Sequence, residues 1–283
     1  MKKMWILILA LVLSASVLAG CSSNQTTGTS VYEVKESVLD KIKRTGELRI
    51  GYGGYPPYTV VDPETRIMSG YSADLIRGII KNWNRDVKII WVETTWERFS
   101  LDLQSEKFDL VVEPIFYTVP RAAEIDYSEP YSYFGYAVGV VDEDEFRFNS
   151  IDDLNDPSIK IAVAQGVATK DYVDRNLPKA TLIVIPNANV ELTLQQVPFE
   201  KADVALVDVP SAQRFVEEQE GYKILFKESP PALTPAGFAF RQGDFKLSQF
   251  FDHSIKAMQT SGEIKALSEK YDVPYYEVNV IRS

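Results

Sequence analysis

The sequence predicts an α/β fold that contains two structural units. Segments of β-branched or alternating apolar residues are separated by helix-like stretches, and this alternation is typical of α/β proteins. The chain has 283 residues, of which 45% are hydrophobic and 25% charged, so it has enough apolar side chains for a core. Its length suits one large domain or two of about 140 residues each. The predicted strands are 48–52, 87–92, 108–112, 137–141, 159–164, 181–185 and 203–207.

Two amphipathic stretches predict helices that cover a sheet. Apolar residues recur at spacings of three and four in residues 73–83 and again in residues 247–258, which is the period of one helix face. Ser72 is the predicted N-cap of the first helix, and Asp74 lies in its first turn, where the positive end of the helix dipole favours a carboxylate. Both helices are amphipathic and therefore not typical of membrane spans.

Two stretches of unusual composition mark the ends of the second unit. Residues 142–148 are mainly acidic and follow an apolar strand, whereas residues 229–235 contain three prolines and precede another strand. Breaker-rich and charged stretches of this kind are typical of exposed connections. They bracket about 90 residues, which is a normal size for a domain.

The N-terminus carries the features of a secretion signal. Lys2 and Lys3 precede an apolar run at residues 4–18, which is short for a membrane-spanning helix and typical of a signal peptide. The run ends in the sequence LAGC at residues 18–21, which resembles a bacterial lipobox.

This resemblance implies that residues 1–20 are removed and that lipid is attached to Cys21. Residues 22–30 have no charge and no apolar period, so residues 21–30 are expected to be a tether, with folded structure from residue 31. A membrane anchor through the lipid is then expected, because several acyl chains bind a bilayer firmly. The alternative is an ordinary signal peptide followed by a free or buried cysteine.

Composition excludes several classes of function. The chain has 30 Lys and Arg against 40 Asp and Glu, a net charge of -10, and loss of residues 1–20 would remove two lysines and leave -12. An acidic chain argues against nucleic acid as a partner. His253 is the one histidine and Cys21 the one cysteine, so catalytic Ser-His or Cys-His pairs, metal sites and cofactors are not expected.

Four short motifs are informative together. They are YPPY at 55–58, GYSADL at 70–75, TVPR at 118–121 and DYSEPY at 126–131. Their order and spacing resemble the family 3 solute-binding proteins of the polar amino-acid type, which serve ABC importers. The resemblance covers nearly the whole mature chain.

The resemblance implies a periplasmic-binding-protein-like fold of type II, with two α/β lobes joined by a hinge. Lobe 1 is expected at 31–135 and 236–283, and lobe 2 is inserted between them at 136–235. The expected function is capture of an amino acid or related amine by lobe closure, followed by delivery to an ABC transporter permease. The protein is expected to act as a monomer, anchored outside the cytoplasm.

The resemblance also implies a ligand site. Arg121 matches the arginine that holds the ligand carboxylate, and Asp208 matches the acid that accepts the ligand ammonium. Tyr55 and Trp96 match the rings that enclose the ligand side chain, and Phe116 adds a third ring. For Arg121 the alternative is a surface arginine, and for Asp208 it is an ordinary acid at a helix start.

The chain departs from the family pattern at several site positions. Glu113 and Pro114 replace small residues after a predicted strand, and Pro114 cannot donate a backbone N–H. Gly166 occupies a position where backbone N–H groups at a helix start would receive an anion. After it, Val167 and Ala168 replace the usual hydroxyl pair.

Charge counting suggests the class of ligand. A zwitterion would use Arg121 and Asp208 and would leave Glu113 without a partner if Glu113 faces the cleft. An unpaired buried charge costs several kcal/mol, so either the ligand brings a further positive charge or Glu113 pairs with a protein cation. Aromatic rings also favour a cation, and we therefore expect a cationic or amine-bearing ligand.

Two other classes of function stay open. The resemblance extends to cyclohexadienyl dehydratases, in which case Glu113 could be a general acid whose pKa is raised by burial. The chain could also be a sensor subunit that presents its ligand to a receptor.

Overall fold

The computed structural model describes residues 36–186 and 189–273. The predicted signal peptide at 1–20, the predicted lipid attachment at Cys21 and the tether lie outside these ranges. Within them, no helix is both long enough and apolar enough to cross a bilayer.

The described residues form twelve β-strands. They are β1 (Glu47–Tyr52), β2 (Val60–Val61), β3 (Met68–Ser69), β4 (Lys88–Glu93), β5 (Leu110–Phe116), β6 (Ile125–Tyr127), β7 (Ser132–Asp142), β8 (Lys160–Ala164), β9 (Thr181–Ile185), β10 (Val204–Asp208), β11 (Tyr222–Leu225) and β12 (Ala232–Arg241).

The same ranges contain nine α-helices and one short 3-10 helix at Ile151–Leu154. The α-helices are α1 (Val38–Thr45), α2 (Tyr71–Trp83), α3 (Phe99–Gln104), α4 (Val119–Ala122), α5 (Ala168–Asn176), α6 (Val190–Leu194), α7 (Val209–Glu218), α8 (Phe245–Thr260) and α9 (Glu263–Tyr271).

Ten of the strands form one mixed sheet in the order β4-β1-β5-β12-β7-β10-β8-β9, with β6 paired to β12 and β11 paired to β7. The pairs of β1 with β4 and β5 are parallel, and so are the pairs of β8 with β9 and β10. At the centre, β12 is antiparallel to both β5 and β7. Strands β2 and β3 form a separate hairpin.

Two groups of apolar cores divide the sheet into two α/β lobes. The first group draws its residues from 38–134 and 236–273, and the second from 138–226. Strands β7 and β12 pass between them, so that Phe134 belongs to the first core and Val138 to the second. The predicted two-lobe fold is confirmed, whereas the predicted boundaries at 135 and 236 stay predictions.

The start of α2 differs from the prediction. Gly70 is the N-cap, with φ 112, and Ser72 lies inside the helix. A Cβ atom at residue 70 would lie 2.5 Å from the carbonyl oxygen of Tyr58, so the chain can enter this helix only through glycine. Ser72 is fully buried, and its hydroxyl lies 3.2 Å from the hydroxyl of Tyr131.

The breaker-rich stretch at 229–235 also behaves differently from the prediction. Strand β12 begins at Ala232, so Pro235 lies inside a strand and pairs with Tyr133 of β7. Its carbonyl accepts a bond from the backbone N–H of Tyr117. The prolines indicate that a connection ends near this position, but the pairing with β7 decides at which residue the strand starts.

Candidate functional site

A cavity of about 390 Å³ lies at the carboxyl ends of five strands from both lobes. Its wall contains residues that end or follow β1, β4, β5, β8 and β10. Ligands of open α/β sheets bind at such strand ends, and the volume is within the usual range for small-molecule sites. The cavity is therefore the candidate functional site.

Seven of the nine predicted ligand-site residues line this cavity. They are Tyr55, Trp96, Phe116, Arg121, Val167, Ala168 and Asp208. Gly166 lines a neighbouring cavity of about 450 Å³, which shares Trp96 and Arg121 with the first. Glu113 lies behind the wall of the main cavity, where it borders a much smaller space.

Arg121 brings a positive charge to the cavity from lobe 1. It is on the short helix α4, whose N-cap Thr118 accepts a bond from the Arg121 backbone N–H. The guanidinium donates to the carbonyl oxygens of Gly166, at 2.7 Å, and Phe116, at 3.4 Å. In the part of the chain that the structure describes, no carboxylate forms an ion pair with it, so its charge is free to receive an anion.

Asp208 brings a negative charge from lobe 2. It is the N-cap of α7, and its oxygens accept bonds from the backbone N–H and hydroxyl of Ser211. Its Oδ1 also accepts a bond of 2.8 Å from the hydroxyl of Tyr55. Asp208 is thus a helix-start acid and a wall residue at once, and no basic side chain of the described ranges forms an ion pair with it.

Aromatic rings form much of the lobe 1 wall. Tyr55 stacks on Tyr58 at 5.3 Å and meets the edge of Trp96 at 5.8 Å, and Phe116 packs on Phe134 at 4.9 Å. Burial and the nearby Asp208 carboxylate raise the pKa of Tyr55 well above its usual value. The phenol therefore remains a hydrogen-bond donor.

The start of helix α5 forms part of the cavity wall. The helix begins at Ala168 after the N-cap Val167, which makes no side-chain cap. Thr169, which sequence reasoning missed, also lines the cavity and is buried. A hydroxyl is thus present one residue beyond the pair at which the usual hydroxyls are replaced, and a wider search around Gly166 would have found it.

Glu113 is almost fully buried, with 1% of its surface exposed. Its Oε1 accepts bonds from the backbone N–H groups of Gly53, at 2.8 Å, and Gly54, at 3.1 Å, and from the hydroxyl of Thr59. Its Oε2 has no hydrogen-bond partner among the described residues. Burial raises the pKa of Glu113 to about 7.

The partners of Glu113 differ from the two expected from the sequence, which were a ligand cation and a protein cation. The structure provides a third arrangement, in which two backbone N–H groups and a hydroxyl bind one oxygen and burial favours the protonated form. Glu113 therefore does not by itself require a cationic ligand.

Sequence reasoning missed three other charged residues of the wall. Arg214 of α7 lies 3.8 Å from Glu191 of α6, and Glu93 ends β4. Together with Arg121 and Asp208, the wall carries three carboxylates and two arginines. Glu93 directly follows the predicted strand 87–92, and its position after a strand is the signal that could have identified it.

Within the described ranges, no group of three or more His, Cys, Asp or Glu side chains is placed so that it could hold a metal ion.

Comparison with known proteins gives a family match over most of the chain. Residues 48–273 match the family described as bacterial extracellular solute-binding proteins, family 3. The chain is 24% identical over 274 residues to the L-cystine-binding protein TcyA of Bacillus subtilis, a match that covers 96% of this chain and 97% of TcyA.

The chain is also similar to an enzyme. It is 26% identical over 182 residues to cyclohexadienyl dehydratase of Pseudomonas aeruginosa. That match covers 64% of this chain and 66% of the enzyme, just under two thirds of its length.

Among solved structures, the chain is similar to the ancestral amino acid-binding protein AncCDT-1, a precursor of cyclohexadienyl dehydratase. The two are 30% identical with a TM-score of 0.72, and the match covers 83% of this chain and 99% of AncCDT-1. A second structure of AncCDT-1, with a TM-score of 0.63, is described as an ancestral cationic amino acid solute-binding protein.

Proposed function

The chain belongs to the bacterial extracellular solute-binding proteins of family 3, and we propose that it captures an amino acid or a related amine-bearing molecule for an ABC importer. The observation that carries this proposal is the cavity shared by the two lobes, which receives a cation, Arg121, from one lobe and an anion, Asp208, from the other. A zwitterion presents the complementary pair of charges. The permease of the importer would receive the ligand, with no covalent step.

Each end of a zwitterion has a group of matching chemistry. The guanidinium of Arg121 and the backbone N–H groups at the start of α5 would hold the carboxylate, because planar guanidinium donors and helix N-termini favour anions. Asp208 would accept the ammonium. The rings of Tyr55, Trp96 and Phe116 would enclose the side chain.

Closure of the lobes would be stabilised by two contacts that already join them. Tyr55 donates to Asp208, and Arg121 donates to Gly166. We propose that the hinge lies where β7 and β12 cross between lobes 31–135 with 236–283 and 136–235. At that crossing, Ala137 adopts a left-handed φ of 61 beside an irregular pairing with β10.

We propose that the ligand carries a cationic side chain, and that its partner is a residue other than Glu113. Carboxylates outnumber arginines in the wall by one, and Glu93 forms no ion pair within the described residues. Glu93 replaces Glu113 as the proposed partner of a ligand cation. The aromatic wall adds about 0.5 to 2 kcal/mol for each favourable cation–ring contact, and the resemblance to AncCDT-1 favours the same class.

The test is a thermal-shift panel followed by calorimetry. L-arginine, L-lysine, L-glutamine, L-cystine, putrescine, sugars and simple carboxylates are compared at equal concentrations. A specific ligand at about 100 times its Kd stabilises the fold by about 2.7 kcal/mol. A shift with sugars or simple carboxylates and with no amine-bearing compound would contradict the proposal.

We also propose that Cys21 carries the lipid that anchors the chain to the membrane. This residue lies outside the described ranges, and the support is the LAGC sequence after an apolar run. Labelled palmitate should be incorporated into the chain in bacterial cells, and Cys21→Ser should abolish both the label and membrane retention. Equal labelling of the two chains would contradict the anchor.

A dehydratase is the second candidate function, favoured by the match to cyclohexadienyl dehydratase and by the near-neutral pKa of Glu113. A general acid must come within about 3 Å of the proton it transfers, whereas Glu113 lies behind Gly53 and Gly54. The wall would have to move. Turnover of prephenate or arogenate that is lost in Glu113→Gln would support this candidate. Absence of turnover of either compound by the unaltered chain would exclude dehydration of that compound.

A further inference from the structure

One loop connects the buried Glu113 to the wall of the cavity. Residues 53–59, here called the 53–59 loop, run from the end of β1 to the start of β2. Gly53, Gly54 and Tyr55 of this loop line the cavity. Three donors of the same loop converge on Glu113 Oε1, namely the N–H groups of Gly53 and Gly54 and the hydroxyl of Thr59. A single carboxyl oxygen thus holds both ends of the loop.

The contacts continue across the cavity. The hydroxyl oxygen of Thr59 accepts a bond of 3.0 Å from the backbone N–H of Tyr55. The Tyr55 hydroxyl then donates to Asp208 in the opposite lobe at 2.8 Å. Hydrogen bonds therefore link Glu113 to Thr59 and Thr59 to the Tyr55 backbone, and the Tyr55 side chain carries this connection to Asp208 in lobe 2.

The environment of Glu113 disfavours its charged form. As a carboxylate it buries an oxygen, Oε2, that has no hydrogen-bond partner among the described residues. Among the neighbouring titratable groups, Tyr131 donates to the carbonyl oxygen of Val112, and burial, together with the charge of Glu113, raises the pKa of Tyr131. No basic side chain contributes to the pKa of Glu113, which burial raises to about 7.

We propose that Glu113 is a positioning residue whose proton controls how firmly the 53–59 loop holds Tyr55 against Asp208, so that ligand capture is linked to pH. The link to capture rests on the proposed function, whereas the action on the loop does not. Bonds to a carboxylate are stronger than bonds to a neutral carboxyl. Loss of the proton therefore tightens the loop and favours capture, and gain of the proton loosens it.

The first test needs no ligand. The amide signals of Gly53, Gly54 and Tyr55 are followed by NMR from pH 5.5 to 8.5. Wild-type signals should all titrate with one midpoint near 7, and Glu113→Gln should remove that titration. A matched control is Glu64→Gln, the same substitution at an exposed glutamate, which should leave the titration unchanged.

A second variant tests whether the Thr59 hydroxyl carries the effect of Glu113 to Tyr55. Thr59→Val keeps the shape of the side chain but removes the hydroxyl that joins Glu113 to Tyr55. Gly53 and Gly54 should still titrate in this variant, and the Tyr55 amide should no longer follow them. The proposal is overturned if the wild-type signals do not titrate, if they titrate equally in Glu113→Gln, or if the Tyr55 amide still follows in Thr59→Val.

The third measurement is calorimetry with L-arginine as the probe. Wild-type affinity should rise as pH rises through the midpoint, by at most about tenfold per pH unit for a single linked proton, and the affinity of Glu113→Gln should be flat. Parallel pH dependence in the two chains overturns the link to capture. If no compound of the panel binds, the proposed function fails together with that link, whereas the amide titration still decides the positioning role.

Discussion

Replacing Glu113 by glutamine should make the stability of the fold less dependent on pH. In the native chain Glu113 keeps its proton up to about pH 7, whereas an unperturbed glutamate releases it near 4.5. Between these values the native state binds more protons than the unfolded state, so the free energy of unfolding falls as pH rises. That contribution is fully lost above about pH 7, where the native carboxyl must also ionise.

The magnitude follows from the same pKa values. A rise from 4.5 to about 7, at about 1.4 kcal/mol for each tenfold change in proton affinity, corresponds to about 3 kcal/mol. The residue is 1% exposed, so solvent screens little of this energy. Glutamine keeps an acceptor for Gly53, Gly54 and Thr59 but carries no charge. Relative to wild type, the variant should therefore gain about 3 kcal/mol between pH 4.5 and pH 8.

Urea unfolding at a series of pH values measures this difference, provided that the dependence on urea concentration is the same for both chains. Glu64→Gln is the control for loss of a negative charge from an acidic chain, and the gain is measured as the difference between the two variants at each pH. A constant difference between Glu113→Gln and Glu64→Gln across the range would refute the reasoning, because it would mean that Glu113 has the same pKa in the folded and unfolded chains.

Three further predictions concern the cavity and the core. Arg121→Lys removes the planar fork that donates to Gly166 and should weaken L-arginine binding about tenfold or more; equal affinity by calorimetry would contradict its proposed role. Asp208→Asn keeps an N-cap side chain, so the melting temperature should change little while the preference for an amino acid over its deaminated analogue falls; an unchanged preference would remove Asp208 from the site. Gly51→Ala would place a Cβ atom 2.7 Å from the ring of Phe108 and should destabilise the fold by about 1 to 3 kcal/mol, which urea unfolding would measure; a loss well below 1 kcal/mol would show that the ring moves aside.

The order of strands and amphipathic helices could be predicted from the sequence, because apolar periodicity is a local property of the chain. The strand predicted at 181–185 matches β9, and the stripe at 247–258 lies within α8. The lobe boundaries that local composition suggests, at 135 and 236, stay predictions. Local signals were insufficient at Ser72 and Pro235, where close approach of another segment, not local preference, decides the start of the helix or the strand.

The sequence by itself determined which strand ends carry chemically useful side chains, and the resemblance to a family brought Arg121 and Asp208 together. Only the tertiary structure decided which way those side chains point. Glu113 comes directly after the predicted strand 108–112, where a cavity residue is expected, yet its side chain lies behind Gly53 and Gly54. Arg214 and Glu93, in contrast, both line the cavity although they are far apart in the chain. The physical reason is that burial and hydrogen bonding of a charged group depend on contacts between distant segments, which no local pattern records.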